Sequence, residues 1–376
     1  MEPPALQVRE VASRRDLKRF LALPWTVYRG NPHWVPPLLR EDRKTLTPGR
    51  HPFWEHSERA LFLACRDGQP VGRIAAIEDR AFVEYHREPT GYFGYFECLE
   101  DPPAARALFR AAEGWLRSRG LEKMIGPLNP STNGTCGFLL EGYDSPPRFM
   151  MPYTLPYYHD LMAECGLEKA RDLLAYRIPV PREMNPRLEK IAAVLTRRGL
   201  SVRNIRMDDF DNELKLVREI YNSAWAKNWG FVPISEAEIE AMARELKPLV
   251  VPELVYFAEY REKPVGFYLV LPDYNQAIRK MNGRMTPLGI IRFLLARRKI
   301  DAVRLMMAGI EDEYQKKGLD GLLYLESART TRDLGYVDSE ISWLLEDNLL
   351  VIRAAEMMGG TLDKKYRIYQ KSLSGS

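Results

Sequence analysis

Cysteine and histidine are scarce in this chain, and neither sign of charge dominates. Its four cysteines, Cys65, Cys98, Cys136 and Cys165, lie far apart with no C-x-x-C spacing. That argues against a disulfide framework or a zinc ribbon and predicts buried free thiols in a reducing compartment. The five histidines all fall in the first half and form no H-E-x-x-H pattern, so no metal site is expected. The 55 basic and 51 acidic residues leave a net charge of +4. Such a small excess argues against a nucleic-acid partner, and it suits an anionic small molecule or a mildly anionic surface. No apolar run reaches the ~20 residues that span a bilayer. The longest, Leu288 to Ala296, is broken by Arg292. The first ten residues lack the basic and apolar regions of a signal peptide. The expected compartment is the cytoplasm, with contact at the inner face of the membrane left open.

The 376 residues suit two domains, and 45% hydrophobic content suits a globular chain. The main positive signal is an internal repeat. Asn31-x-x-Trp34-Val-Pro returns as Asn228-x-x-Phe231-Val-Pro, at an offset of 197. Leu61 to Gly72 and Val255 to Gly266, at an offset of 194, each read as a strand, a polar turn and a strand. Amphipathic helices closed by Gly120 and Gly335 follow at an offset of 215, then an apolar strand, then Asn133 and Asn348. The shifting offsets place insertions at 134–156 in the first half and 274–300 in the second. A proline-rich join, 178–186, separates the halves. The element order predicts an α/β fold of two tandem domains, 1–180 and 187–376, each a mixed central sheet flanked by helices.

This order resembles the GNAT superfamily of acyl-CoA N-acyltransferases across both halves. In the second half a strand, Val303 to Ile310, precedes Gln315-Lys316-Lys317-Gly318-Leu319-Asp320. The segment is similar to the family's Q/R-x-x-G-x-G/A pyrophosphate loop, with Asp320 where Gly or Ala is usual. A strand-to-helix turn supplies unpaired backbone amides for an anion, and glycine lets the backbone approach it closely. The resemblance implies acyl-CoA as co-substrate. It assigns CoA contacts to Met307, Ala308, Gly309, Gln315, Lys316, Lys317, Gly318, Leu319, Asp320 and Asn348. It also implies a strand bulge near Met306 to Ala308 that offers an amide to the thioester oxygen. Ala355 stands where many members carry a proton-donating tyrosine.

Removing the amine proton calls for a carboxylate. The candidates are Glu346, Glu311 and Glu97, and Tyr366 is a candidate proton donor. In the first half, Phe96-Glu-Cys-Leu-Glu-Asp-Pro-Pro103 sets carboxylates and prolines where the loop would be, so no CoA site is expected there. The first insertion is rich in Gly, Pro and aromatics, and its region nominates Asn133, Tyr143, Tyr153 and Tyr157 as acceptor contacts. The second insertion joins apolar Leu288, Ile290, Ile291, Phe293, Leu294 and Leu295 to Arg284, Arg292, Arg297, Arg298 and Lys299. It reads either as a core-packing helix or as a surface for lipid. In overall plan the chain is similar to bacterial ceramide synthases, which implies a long-chain amine acceptor. Two other readings remain at this point: a non-catalytic acyl-CoA-binding protein, and an aminoacyl-tRNA-dependent enzyme of the related tandem type.

Overall fold

A computed structural model describes residues 5–374 and divides the chain into two compact units. Unit 1 comprises Met1–Leu174, Ile278–Phe293 and Lys364–Ser376, and unit 2 comprises Ala175–Ala277 and Leu294–Asp363. Residues 1–4, part of the stretch read as lacking a signal peptide, lie outside the described residues.

The first part of the chain runs β1 (Leu6–Glu10), α1 (Arg14–Ala22), α2 (Pro24–Val27), α3 (Leu39–Thr45), β2 (Ser57–Arg66), β3 (Gln69–Asp79), α4 (Arg80–His86), β4 (Thr90–Cys98) and α5 (Pro102–Ser118). It continues through β5 (Lys123–Gly126), β6 (Leu128–Asn129), β7 (Thr135–Cys136), β8 (Phe138–Glu141), α6 (Tyr158–Glu164) and β9 (Glu168–Pro179). Strands β1 to β4 are antiparallel neighbours, β5 joins β4 in parallel, and the end of β15 (Thr361–Ser372) pairs with β5. Apolar residues of α5 recur at helical spacing, with Ala105, Leu108, Phe109, Ala112 and Leu116 buried. They cover the alternating Ala60, Phe62, Ala64, Ile74 and Ala76 of β2 and β3. The opposite face of the same hairpin carries Leu61, Leu63 and Ala75, together with Arg59 and Arg73.

Unit 2 repeats the plan with α7 (Pro186–Arg197), β10 (Leu200–Asn204), α8 (Phe210–Ala224), α9 (Glu236–Leu246), β11 (Val255–Tyr260) and β12 (Lys263–Pro272). The insertion contributes α10 (Asn275–Ile278) and α11 (Pro287–Arg297), with Ile278–Phe293 counted in unit 1. Then come β13 (Ala302–Ile310), α12 (Leu319–Asp333), β14 (Asp338–Leu345), α13 (Leu349–Met357) and β15. Leu319, Leu322 and Leu323 of α12 pack on Tyr256, Ala258, Val265 and Val303, while α8 covers the other face through Ile220 and Tyr221 against Phe257 and Phe267.

The repeat survives in fine detail. In both hairpins the register slips just before the turn, between Ala64 and Cys65 and between Ala258 and Glu259. Those sites keep the offset read from sequence. The first turn, Asp67-Gly68, has positive φ at both residues, as a tight hairpin of this type requires. The second makes the same turn with Arg261 and Glu262, where glycine would cost less.

Candidate functional site

The residues of unit 2 nominated from the sequence begin where β13 parts from β14. Strand β13 pairs in parallel with β14 only from Ala302↔Asp338 to Leu305↔Ile341. Past that point no ladder joins the two, although β13 runs on to Ile310 and β14 to Leu345. On its other edge β13 bulges: Leu269 faces Met307 and Val270 faces Leu305, leaving Met306 as the extra residue. The bulge falls in the stretch expected from sequence. Met307 is buried under α8, the Ala308 carbonyl accepts from the Trp225 indole at 2.8 Å, and Gly309 packs close to Ala224 and Ile220.

After β13 a single tight turn, Asp312–Tyr314, leads to α12. Gln315 folds back, its amide nitrogen donating to the Ile310 carbonyl at 3.3 Å and to Asp312 at 3.0 Å. Lys316 has φ +60°, and the Lys317 ammonium lies 4.6 Å from the Tyr314 ring centre. Gly318 caps α12 with φ +89° and no side-chain hydrogen bond, and Leu322 is the amide that its carbonyl receives. The first-turn amides are therefore not capped by a side chain at this end, and the helix dipole adds partial positive charge. Asp320 is exposed in that first turn, where the same dipole stabilises a carboxylate. Leu319 is buried in the core. Backbone conformation favours glycine here, and a Cβ on Gly318 would come 2.9 Å from a terminal methyl of Leu195 in α7, which would have to shift.

The remaining candidates scatter. Asn348 caps α13, its side chain accepting from the Val351 amide at 3.4 Å, and Ala355 is fully buried on that helix. Glu346 is half-buried just beyond the end of β14. Glu311 pairs with Lys263 at 3.4 Å. Tyr366 belongs to unit 1, fully buried on β15 opposite Leu139. A cavity of about 50 Å³ under α12 is lined by Tyr268, Leu305, Tyr324, Glu340, Ile341 and Met358. It has room for a few waters. Beside it the Ser342 hydroxyl donates to Glu340 at 2.6 Å and accepts from Arg304 at 2.9 Å.

Unit 1 has the same scaffold, differently finished. Helix α5 begins on Asp101-Pro102-Pro103, and the Asp101 carboxylate accepts from the Ala104 amide. Arg66 holds that carboxylate with two bonds of 2.6 and 2.8 Å, which pulls its pKa down. Strand β4 also bulges, at Tyr95, which has φ +50°. Here the bulge amide is already spoken for: Tyr95 N–H donates to Asn129 Oδ1 at 2.6 Å. Gly94 allows this approach, because a Cβ there would overlap the Leu128 carbonyl.

The four expected acceptor contacts are woven into the first insertion. Tyr143 donates to the Leu139 carbonyl and meets His159 Nε2 at 3.0 Å, with Tyr369 at 2.6 Å from His159 Nδ1. Burial lowers the His159 pKa. Tyr153 donates to the Tyr143 carbonyl at 2.9 Å and Tyr157 to the Cys98 carbonyl at 2.7 Å. The Asn133 amide donates to Ser131 Oγ at 3.2 Å. All four cysteines are buried free thiols, and burial raises Cys136 to about 12.

Sequence reading missed a polar cluster on the α1–α3 side of the unit 1 sheet: Asp42, Arg59, Arg73 and Tyr95 around Glu97. One signal was available, because Arg73 interrupts the run Val71 to Ile77, which is otherwise apolar or glycine.

Tyr274, Ala277, Ile278 and Met281 of the second insertion are buried, but its helix α11 does not join the core. Leu288, Ile290, Ile291, Leu294 and Leu295 of α11 are each 40% to 61% exposed, and Gly289 is the helix's only buried residue. Core packing, one of the two readings of this segment, is thereby overturned. Among the described residues no helix is long and apolar enough to cross a membrane.

No family model matches the chain. It is 37% identical to the bacterial ceramide synthase of Caulobacter vibrioides, over 98% of each chain. It is 36% identical to the protein YghO of Escherichia coli, over 97% of this chain and 95% of that one. Its fold is similar to a tandem GNAT protein from the clavulanic acid biosynthesis pathway, with TM-score 0.57, 12% identity and coverage of 99% and 100%. It is also similar to a GCN5-related N-acetyltransferase from Sphaerobacter thermophilus, with TM-score 0.55, 13% identity and coverage of 99% and 96%.

Proposed function

We propose, because the chain belongs to the bacterial ceramide synthase family of tandem-GNAT N-acyltransferases, that it transfers a fatty acyl group from acyl-CoA to a long-chain amine. A ceramide is such a product, an amide of a long-chain amino alcohol. The observation that carries the acceptor class is α11, an exposed apolar helix with basic residues around it. Residues 274–300 hold seven Lys or Arg and no Asp or Glu, in a chain otherwise close to balance. A helix of that kind suits an anionic lipid surface and the amphiphiles in it. The proposed location is accordingly the cytoplasmic side of a membrane.

The donor is assigned to unit 2. The pyrophosphate would rest on the turn from Gln315 to Asp320, with Lys316 and Lys317 adding positive charge. The thioester would lie at the gap between β13 and β14, where the bulge at Met306 to Gly309 supplies an amide to the developing oxyanion. Asn348 begins the helix next to that gap. An alkyl ammonium pays roughly 4 kcal/mol to become neutral at pH 7. Glu346 is the proposed base, taking that proton directly or through water. Glu311, which pairs with Lys263, is the second candidate. The neutral nitrogen attacks the carbonyl carbon, the C–N bond forms, the C–S bond breaks, and the thiolate leaves to be protonated. With alanine at 355, that last proton comes from another group or from solvent. The first insertion, through Asn133, Tyr143, Tyr153 and Tyr157, is proposed to shape the acceptor region.

The test follows release of free thiol. Acyl-CoA donors of increasing chain length are offered with short amines and with long-chain amino alcohols, with and without anionic vesicles. Turnover should require a long-chain amine, and the triple variant Leu288→Glu, Ile291→Glu, Leu295→Glu should lose vesicle binding while staying folded. Activity confined to acetyl-CoA and a soluble amine, with no vesicle binding, overturns the lipid reading.

A further inference from the structure

Unit 2 leaves a hollow at the end of its parallel ladder. Val270 of β12, Leu305 of β13 and Ile341 of β14 stand in one row across the sheet, since Val270 faces Leu305 and Leu305 faces Ile341. Val303 and Ser339 form the row before it. Paired neighbours share a face, and this face floors the cavity of about 50 Å³ under α12. The roof is one stripe of that helix, Tyr324, Ala328 and Thr331 at helical spacing. Ile178 to Pro181 and Met358 close the side. All of these residues belong to unit 2.

Apolar residues at the centre of a helix-covered sheet are normally buried outright. Val270 and Val303 are, at 2% and 1% exposure. Leu305 and Ile341 are only half-buried, and so are Tyr268, Tyr324 and Met358 around them. The hollow is therefore accessible at its Leu305 and Ile341 end, the last rung before β13 and β14 part. Its polar walls are turned into the protein. The Thr331 hydroxyl donates to the Ser327 carbonyl at 2.6 Å and the Ser339 hydroxyl to the Ile178 carbonyl at 2.7 Å. The Glu340 carboxylate receives the Ser342 hydroxyl at 2.6 Å and lies 3.9 Å from Arg304. What remains to meet a guest is mainly hydrocarbon, from Val180, Val270, Val303, Leu305, Ala328 and Ile341. Such a recess suits an apolar guest.

We infer that this hollow holds the far end of the donor's acyl chain and sets the chain length that the protein accepts. The inference deepens the proposed function and rests on the donor site assigned to unit 2. With the thioester at the Met306 to Gly309 bulge, a chain that runs back along β13 past Leu305 meets the floor of the hollow. From Met307 to Val303 is about 13 Å at ~3.3 Å per strand residue, the reach of an extended chain of roughly ten carbons. An acetyl group ends in the gap between the strands, whereas a fatty acyl group buries its last methylenes under α12. Ala328 in the roof and Met358 at the side limit how far it goes. A larger side chain at the first shortens the hollow, and a smaller one at the second lengthens it.

Calorimetry with acyl-CoAs from acetyl to octadecanoyl, without acceptor or vesicles, keeps the test apart from turnover and from the lipid acceptor. Each buried methylene is worth about four-fold in affinity. In the wild type, affinity should climb as the chain becomes long enough to enter the hollow and level off once the hollow is full. Ala328→Leu should cut the preference for hexadecanoyl-CoA over acetyl-CoA about ten-fold or more and move the plateau to a chain about two carbons shorter. Met358→Ala should move the plateau the other way. The same shifts should appear in kcat/KM when an acceptor amine is supplied. A melting temperature of Ala328→Leu at or above wild type marks a filled void rather than a damaged core. Met358→Trp, at a half-buried site just past α13, takes its place if that variant does not fold, with the same direction expected. Affinity independent of chain length in the wild type, or a plateau unmoved in the folded variants, overturns the inference and leaves the donor assignment standing. Shifted acyl-CoA binding without transfer to any long-chain amine removes the acceptor part of the proposed function and leaves the role of the hollow. No binding of any acyl-CoA removes the donor site and this inference with it.

Discussion

Helices α5 and α12 follow equivalent strands of equivalent units, yet one begins on Asp101-Pro102-Pro103 and the other on Gly318-Leu319-Asp320. At α5 the chain satisfies its own helix start: a carboxylate caps it, an arginine holds the carboxylate, and the two prolines bring no amides. At α12 a glycine caps without a side chain, so its amides are left for something else. The strand bulges differ in the same sense. In unit 1 Asn129 occupies the bulge amide that a thioester would need, whereas the bulge at Met306 has no such plug among the described residues. On the reading proposed for unit 2, unit 1 would lack an anion site because its donors are filled, its scaffold being kept.

The comparison breaks most decisively at the helix caps. Gly318→Asp should reduce acyl-CoA affinity at least 100-fold, whereas Asp101→Gly should leave it unchanged and cost about 1–2 kcal/mol of stability through the lost cap. Calorimetry of acyl-CoA binding reads the first, and denaturant unfolding the second. Because Leu195 crowds Gly318, Gly318→Ala serves as the packing control. Retained affinity in Gly318→Asp would return the donor to unit 1 or to neither.

Next in size is the proposed base. Glu346→Gln should lower kcat ~10²-fold with the acyl-CoA KM little changed. An unaltered rate would shift that role to another carboxylate.

A third difference concerns stability. Burial raises Asp42 to about 6, from an ordinary value of 3.8. Well below the ordinary value of 3.8 the carboxyl is protonated both folded and unfolded and costs nothing. Between 3.8 and about 6 the unfolded chain gives up the proton while the folded chain keeps it, so stability falls across that window and stays lower above it. Asp42→Asn should therefore gain about 1–2 kcal/mol at pH 7.5 and much less at pH 4, read from unfolding at the two pH values. A loss of stability at pH 7.5 would mean that the carboxylate has a structural partner.

The smallest effect belongs to the exposed lysines of the α12 turn. Lys316→Ala and Lys317→Ala should each raise the acyl-CoA KM about two- to five-fold, with the difference shrinking as salt is added. No effect at low salt would leave the backbone amides as the sole anchor.

Much of the architecture was legible before any coordinates. The offset of 194 that aligned Leu61 with Val255 also aligns the two hairpin bulges, because alternation and turn residues are local properties of the chain. The bulge near Met306 and the glycine-led start of α12 fell where the family pattern put them. The polar cluster of unit 1 was almost invisible, because Asp42, Arg59 and Tyr95 come from α3, β2 and β4, and no spacing links them. The same holds for Asn129, 34 residues from the amide it fills.

What the sequence determined by itself is the periodic part: two tandem units, their strands and helices, and the turn in which Gly318 begins a helix without a side-chain cap. The tertiary structure alone decided which polar and apolar groups are left unmatched. Leu288 to Leu295 reads in sequence like any buried helix, apolar almost all round, yet in the fold Gly289 is the buried residue, Phe293 is half-buried, and Leu288, Ile290, Ile291, Leu294 and Leu295 are exposed. Local pattern states what a segment could bury, and only the packing of distant elements settles whether anything is there to bury it against.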